Sequence, residues 1–135
     1  MALLWTEALS VGIAVIDEQH QELFRRVDDM LEAASGGNAA EVTRMLGFLR
    51  GYVEHHFAAE EAFMRQHNYP GFEAHQAEHA FFVNQVALIS EEHRRSGPAP
   101  ALVSRMNHLL ADWLRTHIGL TDSAMARFVR RARRP

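Results

Sequence analysis

The sequence predicts an all-α protein: an antiparallel up-down-up-down four-helix bundle with an N-terminal arm and a short C-terminal helix or tail. Two observations carry that expectation. Gly36-Gly37, Asn68-Tyr69-Pro70-Gly71 and Ser96-Gly97-Pro98-Ala99-Pro100 cut the chain into long segments, and within each the apolar residues recur at helical spacing. The strictly alternating β-branched runs that mark strands are missing. Four helices joined by short breaks pack most simply as neighbours running in alternate directions. The 135 residues suffice for one domain with a real core. The expected organisation is a single domain, 1–135, made of an arm (1–16), the bundle (17–122) and an arginine-rich tail (123–135).

Taken in order, the arm reads as non-helical and lies against the bundle, with Trp5 and Ile13 as anchors. Asp17 offers an N-cap for the first helix, whose stripe is Leu23, Phe24, Val27, Met30 and Leu31. Val42, Met45, Leu46, Leu49, Val53, Phe57 and Met64 form the second stripe. Phe72, Phe82, Val83, Val86 and Ile89 form the third, and Leu102, Met106, Leu109, Leu110, Trp113 and Leu114 the fourth. These methionine and phenylalanine stripes are core.

Composition narrows the chemistry. A net charge of −3 gives no bulk electrostatic case for nucleic acid. The apolar N-terminus carries Glu7 and lacks a basic start, so it reads neither as a signal peptide nor as a membrane span. A cytoplasmic protein without stable membrane insertion is the expectation. Cysteine is absent, which excludes disulfides, thiolate metal sites and thiol catalysis together. There are nine histidines, and all fourteen basic residues are arginine. Any metal must therefore be held by nitrogen and oxygen.

On the predicted helices the histidines make a pattern. His56 and Glu60 are four apart and share a face, as do His75 and His79. His20 sits on the first helix, and His117 on the fourth with Asp122 five residues on. Five steps of about 100° leave an offset of about 140° on a regular α-helix. Asp122 can join His117 only if the backbone departs from regularity between them, and Gly119 lies in that interval. Five imidazoles and two carboxylates exceed the needs of one ion. Two octahedral ions sharing both carboxylates and a solvent oxygen would leave one position open, and an open site binds something.

Nitrogen and oxygen ligation of this kind favours iron over manganese, with zinc as the alternative. Carboxylate-rich bundles activate oxygen through Glu-x-x-His ligation. Neutral imidazole dominates here, so the expectation is reversible binding of O2 instead. The stretches "DEQHQELF", "HFAAEEAFM", "YPGFEAHQAEHAFF" and "WLRTHIGLTD" together resemble the bacterial hemerythrins, from about Trp5 to Phe128. The resemblance implies two iron ions with an oxo or hydroxo bridge, Glu60 and Asp122 bridging as well. By position, His75, His79 and His117 resemble the ligands of the saturated iron, and His20 and His56 those of the iron that binds O2. Leu114 and Trp113 resemble the apolar wall of that O2 pocket.

Of the remaining residues, Asp17 and Glu78 are expected to accept hydrogen bonds from ligand imidazoles. Glu61 is expected to point away, and His55, His67, His93 and His108 to lie on the surface or behind the ligands. The ending "RFVRRARRP" complements a helix C-terminus and otherwise offers a contact to an acidic protein partner or an anionic surface. The leading reading is a protein that stores, delivers or senses O2, with no catalytic residue assigned. The alternatives are an enzyme acting on peroxide, nitric oxide or ferrous iron, a redox signalling module, and a bundle that stores iron or zinc.

Overall fold

A computed structural model describes residues 4–132. Three long helices follow a 3-10 turn at Glu7–Leu9: α1 (Ala14–Ser35), α2 (Ala39–Gln66) and α3 (Phe72–Ser96). A fourth rod then runs over residues 100–132. It comprises α4 (Pro100–Met106), a π-helical segment (Asn107–Asp112), α5 (Trp113–Thr116), a second π-helical segment (His117–Asp122) and α6 (Ser123–Ala132).

Local chemistry sets the helix ends. Asn38 caps α2 by accepting the Glu41 backbone N–H at 3.2 Å. Gly97, at a φ of 68°, ends α3, and Pro100 opens α4 at a position where no N–H is needed. Asp17 does not cap α1, which begins three residues earlier at Ala14. Its carboxylate folds back onto the arm, accepting the Ser10 hydroxyl at 2.6 Å and the Val11 N–H at 2.8 Å. The arm turns at Gly12, whose φ of 76° suits glycine alone and whose missing side chain leaves room for Arg130.

The apolar stripes make two clusters. The larger contains Leu23, Phe24, Val53, Phe57, Phe82 and Leu114, each within one or two turns of a histidine on its own helix. The smaller contains Val11, Ile13, Ile16, Met64, Met125 and Val129. Along α1 the chain passes from Ile16 to His20 to Leu23, and along α2 from Val53 to His56 and Glu60 to Met64. The helices therefore alternate in direction, and the polar residues form a layer between two apolar ones. This is the expected up-down-up-down bundle. Ile13 is buried in the smaller cluster, and Trp5 packs against the larger.

Residues 123–132 continue the fourth rod instead of leaving it. Phe128 meets Tyr69 at a ring separation of 5.2 Å, and Arg130 Nη1 donates to the Val11 carbonyl at 2.8 Å. Arg130 is thus spent on fastening the arm. Arg133 and Arg134, part of the surface expected to meet a partner, lie outside the described residues. Among the described residues, no helix is long and apolar enough to cross a membrane.

The irregularity anticipated between His117 and Asp122 is present. The Ser123 N–H reaches back to the Ile118 carbonyl, five residues earlier, and its hydroxyl meets the same oxygen at 3.1 Å. The widened turn brings positions five apart onto one face. Glycine is not what permits it, because a Cβ on Gly119 would meet only Leu9 Cδ2 at 4.0 Å, and its φ is not positive. Gly119→Ala is therefore expected to keep the turn and to raise stability by about 0.5–1 kcal/mol. Chemical denaturation checks this; a loss of stability would show that the turn depends on glycine.

Candidate metal centre

Seven ionisable side chains occupy the polar layer, and all are buried. His20, Glu60 and Asp122 are 0% exposed, and His56, His75, His79 and His117 only 1–2%. Such groups would cost several kcal/mol each if left unpaired. They are drawn from all four rods: His20 from α1, His56 and Glu60 from α2, His75 and His79 from α3, His117 and Asp122 from the second π-helical segment. The i, i+4 pairs place two donors on one face of α2 and of α3, and the widened turn does the same for the fourth rod.

The Nε2 atoms converge on the two carboxylates. Glu60 has His20 and His56 near Oε2, at 3.1 and 2.8 Å, and His75 and His79 near Oε1, at 3.2 and 3.0 Å. Asp122 has His20 near Oδ2 at 3.0 Å, with His75 and His117 near Oδ1 at 2.9 and 3.2 Å. Each carboxylate therefore faces two groups of imidazoles with its two oxygens. The donors fall into two overlapping sets, each with ligand atoms within 4.8 Å of one another: His75, His79, His117, Glu60 and Asp122, and His20, His56, Glu60 and Asp122.

Direction matters as much as distance. Neither oxygen of Asp122 accepts a hydrogen bond despite its three imidazole neighbours, and His117 Nε2 has no hydrogen-bond partner either. Buried polar atoms this close together that make no hydrogen bond to one another suit a common cation. At three of the five imidazoles the opposite ring nitrogen is engaged as a donor. His56 Nδ1 donates to Gln19 Oε1 at 2.7 Å, His79 Nδ1 to Glu61 Oε2 at 2.9 Å, and His117 Nδ1 to Glu78 Oε1 at 2.8 Å. A proton held at Nδ1 leaves Nε2 as the ligand atom.

Two of these contacts, and the absence of a third that was expected, revise the reading of the sequence. Glu78 accepts from His117 as anticipated, but Asp17 serves the arm and no imidazole. Glu61 does not point away: the face 100° round from Glu60 is the α2–α3 seam, and there Glu61 also accepts from Gln76 Nε2 at 3.1 Å. Gln19 was missed altogether. Its position next to His20 puts it on the side of α1 that meets α2, and only the packing reveals that. His93 is buried far from the ligands and donates from Nε2 to the Ala39 carbonyl and the Thr43 hydroxyl, joining α3 to α2. His55 and His108 are exposed, and His67 bonds locally to the Phe63 carbonyl.

Leu114 is buried in the larger apolar cluster. Trp113 lies flat on His117, with ring centroids 4.4 Å apart and planes 9° apart, and it also stacks on Phe82 at 4.3 Å. It covers the three-histidine side, not the two-histidine side expected from the sequence, because its position four before His117 stacks it over that ring. Phe57 covers the same side, stacked on His79 at 3.8 Å.

Proximity shifts the protonation equilibria. Burial disfavours the charged form of His20 and of His75, but the carboxylates of Asp122 and Glu60 outweigh it and push both imidazoles up to about 9. His117 is raised by the same balance. Burial would raise Glu60, yet the surrounding imidazoles hold it well below the usual carboxylate range. Asp122 is likewise held down, against burial and the charge of Glu60.

Fold and site together define a class: an all-α bundle whose core carries two histidine-rich donor sets that share two carboxylates and could each hold a cation. The chain belongs to the hemerythrin family. The family model of the hemerythrin HHE cation-binding domain matches residues 11–129. Bacteriohemerythrin of Stenotrophomonas maltophilia is 32% identical over 127 residues, covering 93% of this chain and 81% of that protein. Bacteriohemerythrin of Methylococcus capsulatus is 33% identical over 124 residues, covering 90% and 93%. A crystal structure of wild-type hemerythrin superposes with a TM-score of 0.81 at 28% identity, covering 96% of this chain and 98% of that one. Membership implies a di-iron centre. The donors fit it, being nitrogen and oxygen only and falling into two sets that share both carboxylates.

Metal must compete with protons for this site. His20 and His75, raised to about 9, each carry a proton at neutral pH until a cation replaces it. Metal uptake by the metal-free chain is therefore expected to release protons, and apparent affinity to rise with pH until about 9, then level off. Calorimetric titrations in buffers of different ionisation enthalpy would measure the release; pH-independent uptake would overturn the assignment.

Proposed function

We propose that the chain binds O2 reversibly, in the cytoplasm, at a non-haem di-iron centre built into one hemerythrin-like domain. The ligands in this reading are His75, His79 and His117 on one side and His20 and His56 on the other, with Glu60 and Asp122 shared. The observation that carries it is the unequal division of donors, five in one set and four in the other. The smaller set is one ligand short of the larger, and that shortfall is the place for a small external ligand. When bound, the two irons supply the electrons that O2 takes up on binding and gives back on release.

The chain's own residues do the rest. Glu60 and Asp122 tie the two sides together and neutralise part of their charge. The Nδ1 contacts to Gln19, Glu61 and Glu78 fix the orientation of three imidazoles. Phe57, Phe82, Trp113 and Leu114 close the layer against water on the side of the larger apolar cluster. Val11, Ile16, Met64 and Met125 close it on the other. Exclusion of water slows the irreversible loss of electrons and protons that would end reversible binding.

Binding is favoured over turnover because the acidic and basic groups in the polar layer are all engaged as ligands. Among the described residues we assign none as a proton donor to a bound substrate.

The test is a metal assay and an optical spectrum of the purified, anaerobically reduced protein before O2, after O2, and again under vacuum. Near-ultraviolet and visible bands should appear with O2 and vanish on its removal. Bands that persist under vacuum would replace reversible binding by redox sensing or turnover. Zinc in the metal assay, with no such bands, would remove the gas chemistry altogether.

A further inference from the structure

The five imidazoles differ in what stands behind them. His79 and His117 donate from Nδ1 to carboxylates, Glu61 and Glu78, whereas His56 donates to the neutral amide oxygen of Gln19. His20 and His75 have no hydrogen-bond partner at Nδ1. Both outer carboxylates therefore back the three-histidine set, and none backs the two-histidine set. Each is held from a second direction. Gln76 Nε2 donates to Glu61 at 3.1 Å, and the Thr121 hydroxyl donates to Glu78 at 2.9 Å.

A carboxylate that accepts the Nδ1 proton makes the imidazole a more basic ligand and fixes its orientation; an uncharged amide does the second with less of the first. Net charge acts in the same direction. Glu60 and Asp122 neutralise half the charge of two divalent cations. Glu61 and Glu78 bring the other half, all of it on one side. Glu61 is the better placed, its side chain only 16% exposed against 41% for Glu78, so solvent screens it less.

We propose that Glu61 and Glu78 are positioning residues that make the centre electrostatically lopsided. The three-histidine set takes the first cation and holds it more tightly; the two-histidine set, backed by Gln19, takes the second and is the exchangeable side. This rests on the reading of the cluster as a two-cation centre. Ligand count alone also favours the three-histidine set, so ordered filling by itself does not test the role of the glutamates. Isosteric changes of charge do.

The metal-free full-length chain is titrated anaerobically with Co(II), followed by the absorption of the bound ion and by competition with a chromophoric chelator. Two steps are expected. Glu61→Gln keeps shape and removes charge; it should weaken the first step by about 10–100-fold and leave the second unchanged. Glu78→Gln should act in the same direction and by less. Gln19→Glu should tighten the second step by about tenfold, narrowing the gap between the two. If the glutamate variants weaken both steps equally or neither, or if Gln19→Glu leaves the second step unmoved, the proposal falls while the two-cation reading stands. A wild-type chain that takes up one Co(II) or none sinks that reading, and the proposal with it.

Discussion

The structure depends on making it tolerable to bury two carboxylates and five imidazoles in the middle of an apolar bundle. A charge moved from water into such an interior costs several kcal/mol even after relaxation, unless an opposite charge and directed donors meet it there. Here no helix can meet that demand alone. Glu60 needs imidazoles from α1, α2 and α3, and Asp122 needs them from α1, α3 and its own rod. The polar layer thus ties the four rods together, and the same contacts that make burial bearable gather the candidate ligands.

The two apolar clusters follow from that layer. Because each ligand lies within a turn or two of a core residue on both sides, packing and ligation share one register along every helix. A one-residue rotation of any helix would swing its candidate ligands and its apolar stripe away from the interior together. The fourth rod needs more than register, since its donors are five apart. There the ladder widens to i→i+5, a local loss of regular hydrogen bonding offset by placing Asp122 beside three imidazoles. Thr121, inside the same turn, is held by Glu78, so the irregular segment is anchored from α3.

Around the ligands runs an outer set of contacts that join neighbouring helices in sequence: Gln19 to His56 between α1 and α2, Glu61 to His79 between α2 and α3, Glu78 to His117 between α3 and the fourth rod. The arm and α6 close the bundle beyond the smaller cluster. Asp17 holds the arm from α1, and Arg130 holds it from α6. The terminal rod is therefore part of the enclosure that keeps the polar layer dry, and its apolar residues Met125 and Val129 matter to the site without touching it.

The four helices, their alternation and the seven convergent side chains were legible in the amino-acid sequence. Helical spacing is a local property: His56 and Glu60 share a face whatever surrounds them, and the breakers mark where faces must end. Even the irregular turn before Asp122 could be inferred, because five residues do not close an α-helical turn. What only the tertiary structure decided is which neighbour each remaining side chain meets. Glu61 turned from a solvated residue into a partner of His79, Gln19 into the partner of His56, Asp17 from a cap into a clasp for the arm, and Trp113 into a cover for His117. The spacing of residues along one helix gives the direction in which a side chain leaves the axis. Whether that direction holds water, a glutamate or an aromatic ring is set by how the helices pack, which no single helix encodes.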